Sequence, residues 1–201
     1  MDNITYYWGE PDISVKFCEN KYDKYFWIAE YHNTISSIIY LLVGIFYYYT
    51  KIRPLSYYLF FMGFSTAVMH GTLRYYGQIL DELSIILIFH ENIKRLYKKN
   101  YTIPLIFNLL MYLRFYQHYY VFLSIFFTYK FLILKKLCFK KKFKQNEEIF
   151  IYIYYFYFSL AGICWFIDQK LCNYYSYIEF HALWHYFSGF AIFFAFYSFI
   201  I

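Results

Sequence analysis

Proline and glycine are scarce, 3 and 7 in 201 residues, which excludes the collagenous and the Gly/Pro-rich low-complexity classes. Charged residues are also few, 16% of the chain where a soluble domain has about 25%, and hydrophobic residues make up 61%. Neither a water-soluble domain nor a disordered chain has that balance. Residues 1–27 contain acids and no continuous apolar core, so a cleaved signal peptide is not expected. What the sequence does have is long apolar and aromatic runs, with Tyr 29 and Phe 26.

The net charge of +6 would suit a nucleic-acid partner only if it formed a basic face on a soluble module. It does not. Lys94, Arg95, Lys98 and Lys99 form one cluster, and Lys135, Lys136, Lys140, Lys141, Lys142 and Lys144 another, each between apolar runs. Such clusters read as cytosolic loops of a membrane protein. The partner expected is therefore the bilayer, with no nucleic acid.

A helix needs about 20 mainly apolar residues to cross about 30 Å of hydrocarbon. Seven runs qualify, roughly 29–50, 55–73, 79–96, 101–117, 118–136, 148–167 and 178–201, each about twice the length of a barrel strand and without dyad alternation. The expected fold is an all-α, seven-transmembrane helix bundle, with 1–28 a lumenal N-terminal segment and 29–201 the transmembrane domain. Placing Lys51, Arg53 and both basic clusters in the cytosol puts the N-terminus on the lumenal or external face and the C-terminus in the cytosol. Asn3-Ile4-Thr5 is then a glycosylation sequon on the exposed side.

Ionisable residues inside spans are costly and usually face the bundle interior. His70 falls near the outer end of the second span, Asp81 and Glu82 near the outer start of the third, and His181 and His185 near the outer start of the seventh. All five lie in one leaflet. The four-residue step from His181 to His185 turns both imidazoles to one helical face, and a third histidine at the same depth completes the ligand set of an open zinc site. Such a site activates water, and a nearby carboxylate takes its proton. Asp81 is the carboxylate expected there, either as proton carrier or as partner to a histidine. Thr66, four residues before His70, shares its face and either contacts the site or bonds back to a helix carbonyl. Glu82 points elsewhere and is expected to make a structural hydrogen bond. Asp168, at the end of the sixth span, either orients one of the histidines or simply sits at the interface.

Cys18 and Cys172 both fall on the lumenal side, where a disulfide is permitted. Cys138 and Cys164 are expected to be free thiols.

Four blocks of sequence then carry a resemblance: Tyr7-Trp8-Gly9 with Phe17-Cys18-Glu19; Ile28-Ala29-Glu30-Tyr31-His32-Asn33-Thr34-Ile35-Ser36; His70-Gly71-Thr72-Leu73 with Gln78-Ile79-Leu80-Asp81-Glu82-Leu83; and Phe180-His181-Ala182-Leu183-Trp184-His185 with Gly189. In order and spacing they resemble the alkaline ceramidases, part of a wider superfamily of seven-span membrane hydrolases that includes the adiponectin receptors. The resemblance implies a zinc amidase that cleaves ceramide to a sphingoid base and a fatty acid, in the endoplasmic reticulum or Golgi membrane. It implies His70, His181 and His185 as zinc ligands, Asp81 as the acid/base carboxylate, Thr66 where the family usually has a serine, and a bridged Cys18–Cys172 pair. The animal enzymes also carry a calcium site in the N-terminal segment. Here Glu19 and Glu30 match it, but Lys16 and Lys21 stand where an aspartate and an asparagine are expected, which does not suit a cation that needs oxygen ligands. The expectation is that one of these lysines pairs with Glu19 and Glu30 in place of calcium. Two other functions fit the same residues: a zinc hydrolase of another lipid amide or ester, and a receptor or scaffold with structural zinc.

Overall fold

A computed structural model describes residues 6–99, 101–139, 145–175 and 178–200. The Asn3 sequon and lysines 140–144 lie outside the described residues, and so does the side chain of Cys138. The structure is all-α. In chain order the helices are α1 (Tyr31–Ser36), α2 (Ile38–Tyr48), α3 (Pro54–Thr72), α4 (Tyr75–Tyr97), α5 (Thr102–Phe115), α6 (Tyr119–Phe139), α7 (Gln145–Lys170), α8 (Cys172–Tyr175) and α9 (Phe180–Tyr197).

Local chemistry sets several of these boundaries. The hydroxyls of Ser36 and Ser37 bond back to the carbonyls of Asn33 and Thr34, competing with the helical ladder where α1 gives way to α2. Pro54 opens α3, where its missing N–H costs nothing. Leu73 and Lys98 stop α3 and α4 in the left-handed conformation, at φ 53° and 52°. The exposed carbonyls at the end of α3 are then put to use. Those of His70 and Gly71 accept the N–H groups of Glu30 (3.0 Å) and Ala29 (2.9 Å), so the entry to α1 is fastened to the residue pair that carries the first histidine.

α3 packs between α2 and α4, α9 packs on α7 and α1, and α6 joins α4 to α5. One apolar cluster, containing Tyr40, Tyr47, Leu55, Leu59 and Phe196, ties α2 and α3 to α9, and a second, containing Ile86, Ile93, Tyr112 and Ile133, ties α4 to α5 and α6. The outer faces are apolar as well: Ile103, Phe107 and Leu110 on α5, Phe127 and Phe131 on α6, and Tyr152, Phe156 and Ile163 on α7 are all exposed. Among the described residues, only the helical stretch Glu148–Lys170 is long and apolar enough to cross a membrane on length and composition alone. α4 shows why a long helix fails that test, since it buries Gln78, Asp81, Glu82, His90, Glu91 and Asn92 on its inner side.

The contact of α3 with α4 is backbone to backbone at Gly77. A Cβ there would lie 2.7 Å from the Met69 Cα and 3.0 Å from the Met69 amide nitrogen, and backbone atoms cannot swing aside as a side chain can. Gly77→Ala is therefore expected to push the helices apart at a cost of about 1–3 kcal/mol. Because Met69 precedes His70 and Gly77 lies one turn before Asp81, the thermal midpoint and the activity should fall together. An unchanged midpoint would show that the contact is looser.

Candidate metal centre

His70 comes from the last turn of α3, and His181 and His185 from the first turns of α9. All three are buried, and one nitrogen from each lies within 4.8 Å of the others. Their ring centroids are 4.8–5.0 Å apart. A group of imidazoles with no carboxylate among them suits a borderline-soft ion such as zinc rather than calcium or magnesium.

Two of the nitrogens turned away from this meeting point are held by other residues. His70 Nδ1 lies 2.6 Å from Glu30 Oε2, and His185 Nδ1 lies 2.6 Å from Ser36 Oγ. An Nδ1–H donated to these oxygens leaves Nε2 with its lone pair free for a metal. His181 Nδ1 is buried without a hydrogen bond, with Asp168 Oδ2 at 3.7 Å. Asp168 thus sits beside a histidine but beyond hydrogen-bond reach, while its Oδ1 accepts the Cys18 N–H at 3.2 Å.

Asp81, buried on α4, lines the same cavity as the three histidines. Thr66 donates its hydroxyl to Asp81 Oδ1 rather than back to a carbonyl of its own helix. Ser65 bonds back to the Met62 carbonyl, 3.1 Å away. Glu82 accepts a hydrogen bond from Gln78 Nε2 at 2.7 Å, and Gln78 also holds Ser14 of the N-terminal segment through two hydrogen bonds.

The N-terminal segment covers the histidines. Phe17 lies with its ring centroid 4.8 Å from that of His70 and 4.1 Å from that of His181. The neighbouring Cys18 is joined to Cys172 by a disulfide, with the Cα atoms 5.4 Å apart. Cys164 is a free, buried thiol.

The altered cation site differs in detail from the expectation. Lys16 has an exposed side chain and takes part only through its carbonyl, which accepts from Gln169. Lys21 fills the site: its ammonium forms an ion pair with Glu30 Oε1 and donates to the carbonyls of Phe17 (3.0 Å) and Glu19 (2.8 Å). The Glu19 carboxylate pairs with no lysine among the described residues. It accepts the N–H groups of His32 (2.6 Å) and Asn33 (2.8 Å), because the first amides of α1 have no partner within their helix. Burial pushes the Glu19 carboxyl up from its ordinary value, against the pull of those two amides.

Lys21→Met leaves the fully buried Glu30 carboxylate without its cation, so it is expected to destabilise the protein by about 3 kcal/mol. A calcium-selective chelator should leave the wild-type thermal midpoint and activity unchanged. A calcium-dependent midpoint in the wild type would show that Lys21 does not fill the site in solution.

Sequence reasoning missed two groups. Ser36 and Phe17 stand in the blocks that carry the resemblance, but nothing in the sequence gives either of them a place against a histidine. Glu30 was assigned to the cation site, yet its second oxygen meets His70.

Buried histidines converging inside an all-α bundle define a helical protein with a candidate metal centre. The sequence profile of the family described as Ceramidase matches residues 9–201, and the chain belongs to the alkaline ceramidase family. It is 25% identical over 251 residues to the Dictyostelium discoideum protein described as "Putative alkaline ceramidase dcd3B", covering 95% of this chain and 87% of that one. It is 26% identical over 212 residues to an Arabidopsis thaliana alkaline ceramidase, covering 94% and 83%. At the level of the family it is a hydrolase.

Proposed function

We propose that this protein is an intramembrane zinc-dependent amidase that hydrolyses ceramide to a sphingoid base and a free fatty acid. The observation that carries the reading is the convergence of His70, His181 and His185 on one point of a cavity wall that also holds Asp81. The cavity, about 650 Å³ in volume, is lined mostly by apolar and aromatic side chains, which suits a lipid rather than a polar substrate. Family membership supports a ceramide-like substrate and a seven-span membrane fold, and the apolar outer faces of α5, α6 and α7 suit contact with lipid. In this reading 1–28 is the lumenal segment, 29–201 the transmembrane domain, and the membrane that of the endoplasmic reticulum or Golgi.

Zinc bound by the three imidazoles supplies Lewis acidity to the amide carbonyl and brings the pKa of water towards about 7. The chain's own residues do the rest. Glu30 and Ser36 fix the rings of His70 and His185. Thr66 holds Asp81 Oδ1, so that Oδ2 is the oxygen free to take a proton from the attacking water. Asp81 then gives that proton to the amide nitrogen as the C–N bond breaks, and the products are a carboxylic acid and an amine. Phe17 and the disulfide-held segment shield the centre from bulk water on the outer side.

The test is zinc stoichiometry on purified protein together with fatty-acid release from a defined ceramide. About one zinc per chain, with turnover lost on chelation and restored by zinc, is the expected result. Zinc-loaded protein that turns over no lipid amide or ester would leave a receptor or scaffold with structural zinc.

A further inference from the structure

The same cavity contains a basic side chain that the reaction does not use. Lys130, on α6, is 7% exposed and lines the cavity away from the histidines, against Phe89, Tyr154 and Phe158. Phe89 is eight residues beyond Asp81 on α4, which is about 12 Å along the helix. The ammonium donates to the Tyr154 hydroxyl at 2.6 Å. Its nitrogen lies 2.9 Å from the centroid of Phe158 and 5.0 Å from those of Phe89 and Tyr154. Aromatic faces favour a cation, but they do not neutralise it. No carboxylate pairs with Lys130 among the described residues, and two of its three donors have no acceptor among them.

A lysine buried within a membrane bundle usually pairs with an acid or marks a ligand path. Among the described residues the acids that line the cavity are Asp81 and Glu82, which hydrogen-bond Thr66 and Gln78 and do not pair with Lys130. The remaining partner is a ligand with an anionic end and a long apolar body, since the cavity walls between Lys130 and the histidines are almost wholly apolar.

We propose that Lys130 anchors a second ligand: a long-chain fatty acid bound with its carboxylate on the Lys130 ammonium and its chain running along the cavity towards the three histidines. This rests on the reading of the cavity as a lipid site. The orientation is opposite to that of an acyl chain whose carbonyl sits at the histidines, so the bound fatty acid occupies substrate space and restrains the enzyme when free fatty acid accumulates. The carboxylate comes either from the protein's own hydrolysis or from the surrounding bilayer, and both sources present the same group.

The experiment is equilibrium binding of radiolabelled palmitate to the full chain in phosphatidylcholine nanodiscs, with hexadecanol as the uncharged control. Lys130→Met, which keeps the length of the side chain, should weaken palmitate at least about tenfold while binding hexadecanol as the wild type does. Lys130→Arg, which keeps the charge, should hold palmitate within about threefold. The wild type treated with a zinc chelator should bind palmitate as the untreated protein does, because the carboxylate does not sit on the metal centre. That last arm also separates the two readings, since a protein inactive on ceramide can still show Lys130-dependent binding. Unchanged palmitate affinity in Lys130→Met, or its loss on zinc chelation, overturns the proposal.

Discussion

Replacing His181 or His185 with alanine is expected to abolish fatty-acid release and strip the protein of zinc, and His70→Ala should behave in the same way. Each histidine supplies one of three ligand nitrogens within 4.8 Å of one another, and the two left behind hold a metal poorly in competition with water. Even losing a group that only orients a ligand costs about 10–100-fold in metal affinity or activity, so losing a ligand itself should cost more. All three side chains are also buried, at 1%, 5% and 2% exposure for His70, His181 and His185, and truncation to alanine leaves a cavity. His185→Gln, closer in volume, separates that packing effect from the loss of the ligand. It should fold with a thermal midpoint near that of the zinc-free wild type and still fail to bind zinc. Full activity in any of the alanine variants would remove the zinc reading.

Much of this centre was legible before any coordinates, for a physical reason. In a chain with so few charges, an ionisable residue within an apolar run has to be held by something, so His70, Asp81, His181 and His185 stood out against their surroundings. The same logic placed the helices to within a few residues. The largest shifts are at the start of α4, four residues earlier than expected, and at the end of α9, which stops at Tyr197, four residues short of the expected 201. Helices stop where capping geometry allows, and Leu73 in the left-handed conformation resets the chain sooner than hydropathy does.

What stayed hidden was the support around the ligands. Ser36 orients His185, from 149 positions earlier in the chain, and no spacing rule relates them. Lys21 was legible as a replacement cation, but its actual partners include two backbone carbonyls, and every residue type offers that group. Lys130 was read as part of a span and given no role. Its isolation shows only when α4 and α7 are packed around it.

Asp81→Asn is expected to leave zinc bound and remove about 10²–10⁴ of the rate, the usual contribution of a positioned acid/base group. The substitution is nearly isosteric, and the asparagine carbonyl can still accept the hydrogen bond that Thr66 now gives to Oδ1, so the α3–α4 contact should survive. What changes is the second position, where an amide nitrogen replaces the oxygen that, in the proposed mechanism, takes a proton from water and returns it to the leaving amine. Asp81 is not among the residues whose ligand atoms converge. Zinc stoichiometry near one per chain with rate lost therefore assigns Asp81 to proton transfer. Thr66→Val should have a smaller effect, about fivefold, since it removes one hydrogen bond worth about 1 kcal/mol and leaves the carboxylate in place. If Asp81→Asn loses zinc along with the rate, the carboxylate acts through a histidine instead, and if it keeps full rate, another group carries the proton.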